Sequence, residues 1–96
     1  MSLRIKWTRR ALARLDHIGA YIARHHQGAA ARVIVRIQSL VETMPDYPLV
    51  GKVSRVAGTR EVVLSDIPYI VACRARENEI EILTILHTSQ RWPKSF

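Results

Sequence analysis

Hydrophobic positions recur along this chain with two different periods, and the change falls at Pro45. Before it the spacing is helical. Leu12, Leu15, Ile18, Gly19 and Ile22 form one stripe, while Arg9, Arg10, Arg14, Asp16 and Arg24 mostly take other faces. Thr8 stands where an N-cap belongs, and the segment HHQG ends the helix with Gly28 as the expected turn residue. A second helix is expected over AAARVIVRIQSLVETM, with Val33, Ile37, Leu40, Val41 and Met44 on its apolar side. Pro45 and Pro48 stop it. So short a connection predicts an antiparallel helical hairpin.

Around these helices the period is two. Leu3–Trp7 alternates apolar and basic residues, as a half-buried strand does. Further strands are expected near Val50–Val56 and over Thr59–Leu64, Tyr69–Ala75 and Glu79–His87, the last two joined by the tight turn RENE. The order β-α-α-β-β-β-β predicts a single α+β domain over residues 1–96, with the helical hairpin packed on one face of a mostly antiparallel sheet. The first strand must join that sheet from the other side of the helical pair, and Thr88–Phe96 reads as a tail.

Composition narrows the classes. The net charge is +7, and twelve Arg against three Lys carry it. Residues 1–48 hold eight basic and three acidic residues, and residues 49–96 hold seven and five. Arginine favours planar, bidentate contact with phosphate or carboxylate, so the balance suggests nucleic acid or an acidic protein as partner. A generic cationic surface is the plain alternative. Cys73, the single cysteine, rules out an internal disulfide framework, and its apolar surroundings suit a small buried hydrophobe. The segment MSLRIKWTRR lacks the apolar core of a signal peptide, and no run is long enough to cross a membrane; a cytoplasmic protein is expected.

Arg60 follows Gly58-Thr59 at a strand start, and His87 ends the last strand in phase with Ile85 and Leu83. If the strands are neighbours, Arg60, Arg74 or Arg76, and His87 share one concave face, with Lys52, Arg55 and Arg91 approaching from loop and tail. Such a set has the parts for phosphodiester cleavage, a proton-transfer group and cations for the developing charge. It equally has the parts for binding phosphate or an acidic segment. Glu61 should point away from Arg60 on the alternating strand. Tyr69, Trp92-Pro93 and Phe96 are apolar anchors, for the sheet edge or for a partner segment. The pair His25-His26 points in divergent directions on a helix, so no metal site is expected, and no cofactor. His17 beside Asp16 reads as solvated helix surface, and Trp7 as core.

The segments IKWTRRALARLDHIGAYIA, YPLVGKVSRVAGTREVV and IPYIVACRARENEIEILTILHTSQRWP, in this order and in a chain this short, resemble the RelE/ParE superfamily of bacterial toxins. These are found in two-gene toxin–antitoxin and plasmid-stabilisation modules. The resemblance implies growth inhibition and neutralisation by a small, acidic, partly disordered cognate antitoxin, giving a hetero-oligomer. Tyr69, Trp92 and Phe96 are the candidate antitoxin contacts. RelE-like members cut mRNA in the ribosome; that activity would assign catalysis to Arg60 and His87. ParE-like members inhibit DNA gyrase instead. Lys52, Arg55, Arg74, Arg76 and Arg91 are the candidate target- or nucleic-acid-binding residues in either branch. Thr88 follows His87 where some nucleases carry tyrosine, and Lys52 is the one lysine before Arg60 in this region, so the resemblance leans toward ParE. A third reading is a non-toxic interaction or nucleic-acid-binding module.

Overall fold

The computed structural model describes residues 3–47, 51–90, 93, 95 and 96. Its elements are β1 (Arg4–Trp7), α1 (Arg9–Ala23), α2 (Gln27–Thr43), a 3₁₀ turn (Met44–Asp46), β2 (Lys52–Val53), β3 (Arg60–Val63), β4 (Tyr69–Arg76) and β5 (Glu79–His87). The five strands form one sheet in the order β1-β5-β4-β3-β2. β1 runs parallel to β5, pairing Ile5 with Ile80 and Trp7 with Ile82. Every other pair is antiparallel. This is the expected α+β architecture, with the first strand entering beside the last.

One face of the sheet carries the helices. Ala11, Leu15 and Ile18 of α1 and Ile37 and Val41 of α2 pack with Val62, Val71, Cys73, Ile80, Ile82 and Ile85 into one core. Burying such aliphatic side chains stabilises by roughly 1.5–3 kcal/mol each, which is what holds so small a fold against its chain entropy. Thr8 locks the join. Its hydroxyl accepts from the Ala11 N–H at 3.1 Å, capping α1, and donates to the Ile82 carbonyl at 2.7 Å. One side chain therefore fixes both the start of α1 and its seat on β5.

Three local expectations are corrected. Leu12 is 47% exposed, and Ala11 takes the core position, because Ala11, Leu15, Ile18 and Ile22 are the residues whose spacing faces the sheet. Gly28 does not make the interhelical turn. It is the second residue of α2, and Arg24–His26 turn the chain, with His26 at the N-cap position. The expected strand Val50–Val56 shrinks to Lys52–Val53; Val50 lies outside the described residues. Here the backbone curls, and the Ser54 N–H turns to the Thr59 carbonyl at 3.0 Å while the Thr59 hydroxyl donates to the Val56 carbonyl at 2.6 Å.

Candidate functional site

Strand register decides which cations meet. Arg60 pairs with Cys73 and shares the helix-bearing face with Val62. Arg74 and Arg76 alternate to the opposite face, where both guanidinium groups donate to Oε1 of Glu81 at 2.9 Å. His87 pairs with Tyr69 and returns to the helix side, but at the other end of the strands. Cys73 and Tyr69 are four residues apart, about 13 Å along β4, and β4 itself lies between Arg60 and His87. The expectation of one concave face shared by Arg60, Arg74 or Arg76, and His87 is therefore overturned. Two sides of a pleated sheet and two ends of a strand keep them apart.

Each cation instead has a local task. The Arg60 Nη2 donates to the Gly51 carbonyl at 3.1 Å. Lys52 pairs across β2 and β3 with Glu61 at 3.3 Å, and Glu61, as expected, faces away from Arg60. Glu81 is buried between its arginines. The Arg74 hydrogen bonds hold its carboxyl below the usual range; burial pushes the other way, and the charges of Arg74, Arg76 and Lys6 add to the lowering. Lys52 and Arg55 line a shallow groove of about 400 Å³ on the face without helices, floored by Val63 and Ile70 and closed by Thr88 and Gln90. Phe96 is half-buried; Arg91 and Trp92 lie outside the described residues.

A second cleft, of about 330 Å³, opens where α1 crosses the end of β5. Arg14, His17, Ile18 and Tyr21 of α1 form one wall; Tyr69, His87, Ser89 and Gln90 form the other. The Arg14 Nε donates to the Ile85 carbonyl at 3.2 Å and its Nη2 to Gln90 Oε1 at 3.1 Å. Gln90 Oε1 also accepts from the His87 backbone N–H at 2.6 Å, so one amide oxygen ties helix, strand end and tail together. The Tyr69 ring meets the His87 imidazole edge-on, centroids 5.2 Å apart. Burial pushes the Tyr69 phenol above its ordinary range, the Arg14 charge opposes this, and Tyr21 adds to it.

Of the residues singled out in the sequence, this cleft brings together His87, Tyr69 and His17, the last of which was read only as solvated helix surface. Arg14, Tyr21, Ser89 and Gln90 were missed as site residues. The spacing Arg14, His17, Tyr21 puts three side chains on one helix face, and that was the available signal. His25 makes an edge-on contact with Tyr21 rather than pairing with His26 as a ligand, and among the described residues no group of three His, Cys, Asp or Glu is placed to hold a metal ion. Nor, among them, is any helix long and apolar enough to cross a membrane.

Comparison with known proteins adds relatives to this geometry. Residues 5–92 match the family described as "ParE toxin of type II toxin-antitoxin system, parDE". The chain is 50% identical over 91 residues to "Putative toxin Y4kP" of Sinorhizobium fredii (strain NBRC 101917 / NGR234), covering 95% of this chain and 94% of that protein. It is 30% identical over 86 residues to "Toxin RelE2" of Caulobacter vibrioides (strain ATCC 19089 / CIP 103742 / CB 15), covering 90% and 96%. Among solved structures, a chain of the "Chromosomal ParDE TA system from P. aeruginosa" superposes with a TM-score of 0.86 at 27% identity, covering 92% of this chain and 98% of that one. A double arginine-to-alanine mutant of E. coli toxin RelE in the free state shares the fold, with a TM-score of 0.68 at 10% identity over 93% and 86% of the two chains.

Proposed function

The chain belongs to the ParE toxin family of type II toxin–antitoxin systems, and from that premise we propose that it acts in the cytoplasm as an inhibitor of DNA gyrase, silenced by a cognate antitoxin. The observation that carries this reading is the dispersal of the nuclease parts. Arg60 is bonded at one end of the helix-side face, His87 stands at the other, and Arg74 and Arg76 are tied to Glu81 on the opposite face. A cleaving site needs its proton-transfer group and its charge-stabilising cations around one phosphate. An inhibitor that works by binding needs only a surface.

Antitoxin neutralisation is supported by charge. A small domain of net charge +7 suits an acidic, partly disordered segment that orders on binding and covers cationic surface, giving a hetero-oligomer. Trp92 and Phe96 are the proposed apolar contacts of that segment; Tyr69, expected to join them, is 7% exposed and packs into the core instead. A role in plasmid stabilisation is proposed from the same pairing.

The test is purified antitoxin-free protein with gyrase, ATP and supercoiled plasmid. Accumulation of cleaved linear DNA is expected. His87→Ala and Arg60→Ala, each alone, should leave that activity largely intact. Undamaged plasmid together with mRNA cut at discrete positions in ribosomes would replace this reading with ribonuclease activity.

A further inference from the structure

The cleft between α1 and the end of β5 has an unusual balance of groups. Arg14, His17 and His87 contribute cationic or N–H donor groups from two walls, and among the described residues lining it there is no carboxylate. Four cations elsewhere on the molecule face carboxylates within the fold: Arg74 and Arg76 share Glu81, Lys52 meets Glu61, and Arg36 meets Asp66 at 2.7 Å. Arg14 is held by a carbonyl and an amide oxygen, which orient the guanidinium without cancelling its charge. Two of its five N–H groups are used in those bonds, and the Nη1 amino group lies outside them.

His87 is oriented as deliberately. Its Nδ1 accepts from Ser89, so the neutral ring carries its proton on Nε2 as a donor. Donors that stand on facing walls suit a tetrahedral anion, which offers oxygens in several directions, better than a planar carboxylate with two. Tyr21, 56% exposed on the same helix face as Arg14 and His17, presents a ring surface beside them. A volume of about 330 Å³ lies at the low end for small-molecule sites.

We propose that this cleft binds a nucleoside monophosphate, with Arg14, His17 and His87 holding the phosphate and Tyr21 stacking on the base. Ser89 and Gln90 are positioning residues: the first fixes the His87 ring, the second the Arg14 guanidinium. The site is separate from the gyrase reading and stands or falls without it.

The test titrates the full chain with inorganic phosphate, adenosine 5′-monophosphate and adenosine, reading the imidazole NMR signals of His17 and His87 and the heat of binding. Phosphate and the monophosphate should both move the two imidazoles, and the monophosphate should bind about tenfold tighter because base stacking adds to the phosphate contacts. Adenosine should bind more weakly than either. His17→Ala should weaken both phosphate ligands, and Tyr21→Ala should reduce the monophosphate to the level of phosphate while leaving phosphate unchanged. Arg14→Gln should abolish both; if it fails to fold, the exposed His17→Ala carries the test. Arg76→Gln, on the opposite face, should change nothing. Silence of both imidazoles at millimolar ligand, adenosine binding as well as its monophosphate, or phosphate binding with no gain from the nucleoside would each overturn the assignment.

Discussion

The backbone N–H and the hydroxyl of Ser89 both reach Nδ1 of His87, at 3.1 and 2.7 Å. A backbone N–H can only donate, so Nδ1 is an acceptor and the neutral imidazole is the Nε2-protonated tautomer. Long-range nitrogen–proton NMR correlations should show that tautomer for His87. Ser89→Ala removes only the hydroxyl bond and should leave the tautomer unchanged, with a cost of about 0.5 kcal/mol at so exposed a place. A ring protonated on Nδ1 would contradict this geometry.

The Thr8 hydroxyl caps α1 and bonds to β5 beside the Thr8 backbone N–H, and its removal should be felt in both elements. Thr8→Ala leaves the Ala11 N–H uncapped and the Ile82 carbonyl with the Thr8 backbone N–H at 3.2 Å in place of two donors, a loss of roughly 1–2 kcal/mol. In a domain of this length that lowers the thermal midpoint by about 4–16 °C. Thr8→Ser, which keeps the hydroxyl, should recover most of it. Equal loss in the two variants would mean that the methyl group, not the oxygen, is responsible.

Glu81 makes stability depend on acid. Its carboxyl is held below the usual range by Arg74, so the fold prefers the ionised form. That contribution is complete above the ordinary carboxylate range, near pH 5 and higher, and is lost as pH falls through the lowered value. The urea midpoint of the wild type should therefore drop on acidification below about pH 4.5 more than that of Glu81→Gln. At neutral pH Glu81→Gln should cost on the order of 1–2 kcal/mol, since its arginines are partly solvated and recover some hydration.

Cys73 is 4% exposed, and burial pushes its thiol up to about 11, with the Arg60 charge opposing. The unfolded thiol ionises near 8.5, so the fold favours the neutral form and loses that advantage as pH rises from about 8.5 toward 11. A thiol reagent at pH 8 should label Cys73 only on unfolding. Rapid labelling of native protein would show an opening at the β3–β4 pair.

Two glycines with positive φ should respond differently to the same change. Gly51, at φ 80°, lies where a Cβ would collide with the Glu61 carbonyl oxygen and crowd Val62. Gly58, at φ 78°, faces open space. Gly58→Ala should cost about 1 kcal/mol, from backbone conformation alone. Gly51→Ala should cost more, about 3 kcal/mol or above, because β2 must also move off β3. Chemical denaturation of the two variants measures both.

Much of the architecture was legible because periods of two and 3.6 survive in so short a chain. The helical hairpin, the β4–β5 turn and the entry of the first strand follow from apolar spacing and turn residues alone. The gathering of cations was not legible. Alternation along one strand says that Arg74 and Arg76 share a face, but not that Arg60 on the next strand takes the other. That depends on the β3–β4 register, which sets Arg60 opposite Cys73 and is fixed by the connection between those strands. The cleft stayed hidden for a related reason. Arg14 and Ser89 are distant in sequence, and only the lie of α1 across β5 brings them together. Helical spacing put Arg14 off the apolar stripe, and the structure leaves it half-buried with its guanidinium held by Ile85 and Gln90.

The pairing of β1 with β5 has a consequence for synthesis. Ile82, whose carbonyl receives the Thr8 hydroxyl, lies 74 residues further along the chain. A nascent polypeptide that has produced β1 and both helices still has no sheet for them to cover, because β5 is the strand on which α1 and β1 rest. Closure over that distance is an entropic wait that local helix formation cannot shorten. The core shared by α1, β1 and β5 therefore cannot close until the last strand has been made.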